Sequence, residues 1–166
     1  MLGKEEIMRR LEPLVTSLGL KIYDVETPQG TYGVLRVFLS NEKWGAQGVS
    51  LQACTRVARE INERADIEEL VPGECTIEVS SPGIERKLTR EEHFTGAVGE
   101  RVKVVYAPSG EVTAATRERR TIKGTLEAYE NNLLKIQAEA RQGGELCAVP
   151  KNAVIEAHVD FIFKDE

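Results

Sequence analysis

The sequence is short of most of what a metal, redox or membrane protein needs. Its three cysteines, Cys54, Cys75 and Cys147, stand far apart, with no CxxC and no Cys/His cluster. The spacing therefore encodes neither a zinc site nor a redox pair. They read as reduced thiols serving as small hydrophobes, Cys54 on an apolar helix stripe and the other two in strands. No apolar run reaches the roughly 18 residues that a membrane-spanning helix requires. Residues 1–6 lack the charged-then-apolar pattern of a secretion signal, so a cytoplasmic location is the expectation. Aromatic residues make up only 5% of the chain, which leaves its cores to Val, Ile and Leu. A basic excess is missing too. There are 22 Lys and Arg against 27 Asp and Glu, a net charge of −5. That balance argues against a protein that simply coats nucleic acid. Docking on a large RNA–protein particle would need local basic patches, a basic protein partner, or both.

Converging reactive groups are also scarce. No Walker A sequence and no Gly-x-Gly-x-x-Gly is present, so no nucleotide cofactor is expected. Gly30-Thr31-Tyr32-Gly33 and Gly45-Ala46-Gln47-Gly48 fit GXXG. The backbone clamp of that pattern needs a helix on both sides, and these two read as loops. Ser80-Ser81-Pro82-Gly83 lacks the flanking glycines of a nucleophile elbow and reads as a strand end followed by a turn. Asp24 and Glu26 share a strand face without a second acidic cluster and read as solvated surface. His158 shares a face with Glu156 and Asp160, and His93 lies in a polar connector. Both read as surface histidines rather than bases or ligands. No catalytic residue, metal ligand or cofactor is assigned.

What is present is ordinary globular material: 166 residues, 41% hydrophobic and 30% charged, enough for one large domain or two small ones. Ile7, Leu11, Leu14, Val15 and Leu18 form a helical stripe, with Pro13 predicting a kink or break near Glu12 and Gly19 a stop. Strands follow at 20–25, where alternation is imperfect, and at 35–39, joined by a hairpin loop at 28–33. A loose loop at 41–48 leads to a helix capped by Ser50 and running to about Ala65, with Leu51, Cys54, Val57, Ala58 and Ile61 on its apolar face. Pro72-Gly73 turns the chain into a strand where Cys75, Ile77 and Val79 point one way and Thr76, Glu78 and Ser80 the other. The order α-β-β-α-β predicts two helices on a three-stranded sheet. A short helical connector is expected at 89–95.

The second half has no convincing long helix. Segments 102–106, 121–129, 133–138, 145–149 and 154–161 read as five short strands, with turns at Gly110, Asn131-Asn132 and Gly143-Gly144. Residues 150–153 suggest one helical turn, and 107–120 is the one long polar loop. Five short strands with tight turns predict a small SH3-like β-barrel. The fold class is thus α+β, with an N-terminal domain at 1–91 and a C-terminal barrel at 92–166. Counted on either side of that boundary, 12 basic residues face 15 acidic ones, and then 10 face 12, so neither half is a basic domain.

Two local basic clusters stand out. Arg86, Lys87 and Arg90 follow the Pro-Gly turn near the domain junction. Arg117, Arg119, Arg120 and Lys123 sit at the end of the long loop and the start of a strand. Such positions can set cations on RNA phosphates, each contact releasing counterions. Short charge runs are also common on surfaces that bind nothing.

The order of elements and several motifs resemble the RimP family of ribosome maturation factors. The likeness runs through 11–15, 18–20 and 24–26, the strand Leu35-Arg36-Val37-Phe38-Leu39, and the helix segments Val49-Ser50-Leu51 and Val57-Ala58-Arg59-Glu60-Ile61. Its most specific stretch is Glu78-Val79-Ser80-Ser81-Pro82-Gly83-Ile84-Glu85-Arg86, after which this chain has Lys87-Leu88 where the family has Pro-Leu. In the second half it covers Lys123-Gly124-Thr125-Leu126 and residues 149–155. The loop 107–120 is longer than usual for the family. The resemblance implies a non-catalytic factor for maturation of the small (30S) ribosomal subunit. It implies contact with a basic small-subunit ribosomal protein near the decoding region and with 16S rRNA; a monomer is the expectation. A general RNA-binding module or RNA chaperone is the competing expectation, and an enzyme acting on RNA or protein is the third.

Overall fold

The computed structural model describes residues 2–30, 32–41, 49–65, 67–71, 73–83 and 85–160. Its contacts divide the chain into two compact units, Met1–Gly83 and Ile84–Glu166. The division precedes the sequence boundary at residue 91 because residues 86–88 pair with the last strand of the second unit. There the Leu88 N–H donates to the Ala157 carbonyl at 2.8 Å, and the Val159 N–H donates to the Arg86 carbonyl at 3.0 Å.

In the first unit, α1 (Lys4–Ser17) buries Ile7, Leu11 and Val15. It runs unbroken through Pro13, against the expectation of a break. Pro13 removes one hydrogen bond, to the carbonyl of Arg9, but both residues lie on the exposed side, where water can serve that carbonyl. Strands β1 (Lys21–Glu26) and β2 (Tyr32–Ser40) pair antiparallel, and β2 pairs parallel with β3 (Glu74–Ser80), giving the order β1-β2-β3. The imperfect alternation of β1 has a physical origin. The register shifts between Ile22 and Asp24, so the consecutive residues Ile22 and Tyr23 are both buried. The crossover from β2 to β3 carries α2 (Leu51–Arg64), whose cap Ser50 accepts the Ala53 N–H on its Oγ at 3.1 Å. A short helical turn, α3 (Ile67–Leu70), was not legible in the sequence.

Leu35, Val37 and Leu39 of β2 meet Ile7, Leu11 and Val15 of α1 and Val57 and Ile61 of α2 in one core, as two helices on a sheet require. Each such side chain, fully buried, contributes about 1.5–3 kcal/mol before entropy is counted. Cys54 joins this core, and burial pushes its thiol above the ordinary value, which makes it a poor nucleophile. Of the expected loop at 41–48, residues 42–48, with the second GXXG, lie outside the described residues.

The second unit begins with the paired segment 86–88 and α4 (Glu91–Gly96). It continues with five strands: β4 (Arg101–Tyr106), β5 (Arg120–Glu130), β6 (Leu133–Ala138), β7 (Leu146–Pro150) and β8 (Val154–Val159). They form one antiparallel sheet in the order β7-β6-β5-β4-β8. Phe161, expected at the end of the last strand, lies outside the described residues. Asn131 and Asn132, at φ 51° and 59°, make the tight β5–β6 turn that favours such residues. Val102, Val104, Ile122, Leu126, Leu134 and Ile136 fill the core beneath Phe94 of α4 and Leu88. The overall class is therefore α+β: helices on a three-stranded sheet, then a separate five-stranded antiparallel sheet.

Candidate nucleic-acid interface

The long loop that precedes β5 is anchored at its base. The Ala107 N–H donates to the Ala153 carbonyl at 2.8 Å, and the Val112 N–H to the Asn152 carbonyl at 2.9 Å. Further on, the Thr113 N–H donates to Thr116 Oγ1 at 2.8 Å while the Thr116 N–H returns to the Thr113 carbonyl at 3.0 Å. These bonds close a turn immediately before the arginines. Arg117, Arg119 and Arg120 are all exposed. Arg120 pairs with Glu118 at 3.1 Å, and among the described residues Arg117 and Arg119 form no ion pair. Lys123 lies on β5, half-buried, with its N–H held by Gln142 Oε1 at 2.8 Å.

The junction cluster is not one surface. Arg86 points inward and is only 4% exposed. Its guanidinium grips both carboxylate oxygens of Glu100, at 3.3 Å to Oε1 and more closely to Oε2. A charge this buried and this paired is a structural arginine, which corrects its reading as a contact residue. Lys87, its neighbour on the alternating segment, points outward and is exposed. Arg90 is half-buried and pairs with Glu92 at 2.9 Å. The fold thus separates Arg86 from its sequence neighbours. It brings Lys87 and Lys123 to one face of the sheet, with β8 and β4 between them.

His93 also departs from its expected surface role. It is 1% exposed, and its Nδ1 accepts the N–H groups of Thr89 at 3.0 Å and Arg90 at 3.1 Å. A ring nitrogen that accepts two N–H bonds carries no proton of its own. His93 is therefore a capping group for α4, its buried ring holding two donors at the helix start. Beside it, Phe94 lies over Tyr129 with ring centroids 5.3 Å apart. Burial, then the charge of Glu91, pushes the Tyr129 hydroxyl above its ordinary value.

Another ion pair holds the edge of the sheet. Arg101 of β4 donates from Nε to Asp160 at 2.8 Å and also pairs with Glu139. Burial alone would raise the Asp160 carboxyl. The Arg101 hydrogen bond and the charges of Arg101, Lys123 and His158 outweigh that and hold it below its ordinary value of 3.8. Among the described residues no group of three or more His, Cys, Asp or Glu side chains could hold a metal ion, and no helix is long and apolar enough to cross a membrane.

These features describe a two-unit α+β protein with three exposed arginines, Arg117, Arg119 and Arg120, on and beside an anchored loop of the second unit. Residues 10–85 match the family model described as the RimP N-terminal domain, a match that spans nearly all of the first unit. The first unit is thus similar to the N-terminal domain of the RimP ribosome maturation factors.

Proposed function

We propose that the protein is a non-catalytic assembly factor of the small ribosomal subunit, which binds the immature particle as a cytoplasmic monomer and leaves once it has matured. The match of residues 10–85 to the RimP N-terminal domain carries this reading. Charge supports a division of labour. Residues 1–83 hold 9 Lys and Arg against 13 Asp and Glu, a balance of −4, while residues 84–166 hold 13 against 14, a balance of −1. The acidic first unit suits a basic ribosomal protein near the decoding region, and the nearly neutral second unit suits 16S rRNA. In the second unit, Arg117, Arg119 and Arg120 are the exposed cations of the anchored loop, with Lys87, Arg90 and Lys123 as further contacts. We assign the second unit to the SH3-like barrels. The register shifts at Val105/Tyr106 and at Leu126/Ala128, of the kind that curve a sheet, favour closure.

The test is a triple variant, Arg117→Ala, Arg119→Ala and Arg120→Ala. Because all three side chains are exposed and none supports the core, its melting temperature should match that of the wild type. Its affinity for small-subunit precursor particles should fall about tenfold or more, as expected when several cations no longer neutralise phosphates. Unchanged affinity would make the loop ordinary solvated surface.

A further inference from the structure

The outer face of the second unit's sheet carries an arrangement that sequence spacing hides. Lys87 stands opposite His158, His158 opposite Lys103, and Lys103 opposite Lys123. Residues directly opposed on neighbouring strands project from the same face. The burial pattern agrees on every strand: Lys103 alternates with buried Val102 and Val104, and Lys123 with buried Ile122. His158 alternates with buried Ala157 and Val159, and Lys87 with buried Arg86 and Leu88. Four basic side chains from four neighbouring segments of the sheet therefore form a row across it. At a strand spacing of about 4.8 Å the row is about 14 Å long.

Like charges directly opposite one another destabilise a sheet, so a row of this kind works against the fold that bears it. The nearest carboxylates offset it only in part, since Asp160 divides its charge among Arg101, Lys123 and His158. Asp160 and Glu139, which flank the row, are both held by Arg101. Glu156 lies two residues from His158 on the same strand and is exposed. Among the described residues Lys103 and Lys123 form no ion pair. On a chain of net charge −5, three lysines in one row suit a partner that supplies negative charge along a line.

We propose that the row Lys87, His158, Lys103 and Lys123 is a binding site for the phosphodiester backbone of RNA, laid across the strands. Two ammonium groups face each other on β4 and β5, and the imidazole of His158 adds a ring N–H donor beside them. Such groups recognise phosphate rather than bases, so binding at the row is independent of sequence. The loop of Arg117 and Arg119 runs directly into β5, which bears Lys123, so the strand that ends the row begins at the arginine loop. This inference rests on the reading that the second unit faces ribosomal RNA, and it shifts the centre of that contact from the loop to the sheet.

The experiment measures fluorescence anisotropy of a labelled single-stranded RNA against the full chain over a salt series. It compares the wild type with the double variant Lys103→Gln/Lys123→Gln and with Arg56→Gln/Arg59→Gln, which removes the same charge from the exposed side of α2. With two phosphate-neutralising cations removed, the slope of log affinity against log salt should flatten by about 1.4 for the sheet variant. The helix variant should keep the wild-type slope. The sheet variant should melt close to the wild type, since it removes the repulsion between the lysines together with the attraction of Lys123 to Asp160. Equal losses in both variants would reduce the row to net charge, and a lower melting temperature of the sheet variant would make it structural; either overturns the proposal. Absence of wild-type binding to the RNA, with precursor particles still bound, would overturn the row while leaving the assembly-factor reading intact. That result with particle binding lost in the sheet variant would assign the row to a protein partner. RNA binding through the row without any association with precursor particles would sustain the row and remove the assembly-factor reading.

Discussion

At Gly124 the second unit has no room for a side chain. A Cβ there would overlap the carbonyl oxygen of Gln137 and stand 2.8 Å from its carbon, on the backbone of the neighbouring strand β6. Backbone cannot swing aside as a flexible side chain can, so Gly124→Ala should destabilise the second unit by about 2–3 kcal/mol. Thermal or urea unfolding would show it, and a wild-type midpoint would contradict the close approach. His93 makes the opposite case, a side chain that must be present. Replacing it by alanine strands the N–H groups of Thr89 and Arg90 and opens a small cavity, for an expected loss of about 2–3 kcal/mol. A histidine lying free on the surface would cost almost nothing to replace, so the same unfolding measurement separates the two roles. Neither His93 nor Arg86 was legible in the sequence. Each looks polar among polar neighbours, and the carboxylate that pairs with buried Arg86 stands 14 residues later at Glu100. One signal was available for His93: it stands three residues after Arg90, the spacing at which a side chain reaches back to a helix start.

At the scale of elements, the regular parts were legible because burial on one face writes a period into the sequence. Cys75, Ile77 and Val79 alternate with Thr76, Glu78 and Ser80 in the sequence as they do in β3. The same holds for β6, where Leu134, Ile136 and Ala138 are buried in alternation. The elements that escaped are those set by other forces. α1 survives Pro13 because the missing bond faces water, and α3 is too short to have a period. The row across β8, β4 and β5 was invisible because pairing register is decided by the fold and not by spacing along the chain. The tie between Arg101 and Asp160 gives the strand edge a dependence on acid. The folded carboxyl titrates below its ordinary value of 3.8, so the tie stabilises the native state at any pH above that value. The contribution is lost as pH falls below it, because the unfolded chain takes up the proton first. Arg101→Met should therefore destabilise the second unit at neutral pH and make less difference as pH falls below about 4. Denaturant melts at neutral and acid pH would measure this, and a difference that stays constant across that range would remove Asp160 from the account.

For the whole molecule, the decisive property is that two units of different charge are joined in one chain. The first, matched to the RimP N-terminal domain, carries most of the acidic excess. The second carries the anchored arginine loop and the row of lysines on a nearly neutral background. Composition alone made the need for local basic patches legible, since a net charge of −5 rules out a uniformly basic surface. It could not locate them, because Arg86 and Lys87 are adjacent in sequence and opposite in orientation. Sedimentation of the full chain through a sucrose gradient, with small-subunit precursors in one tube and mature translating ribosomes in another, separates a precursor-specific factor from a general binder of ribosomes. The protein should travel with the precursors and stay at the top of the gradient with the translating ribosomes. Equal association with both, or with neither, would contradict it.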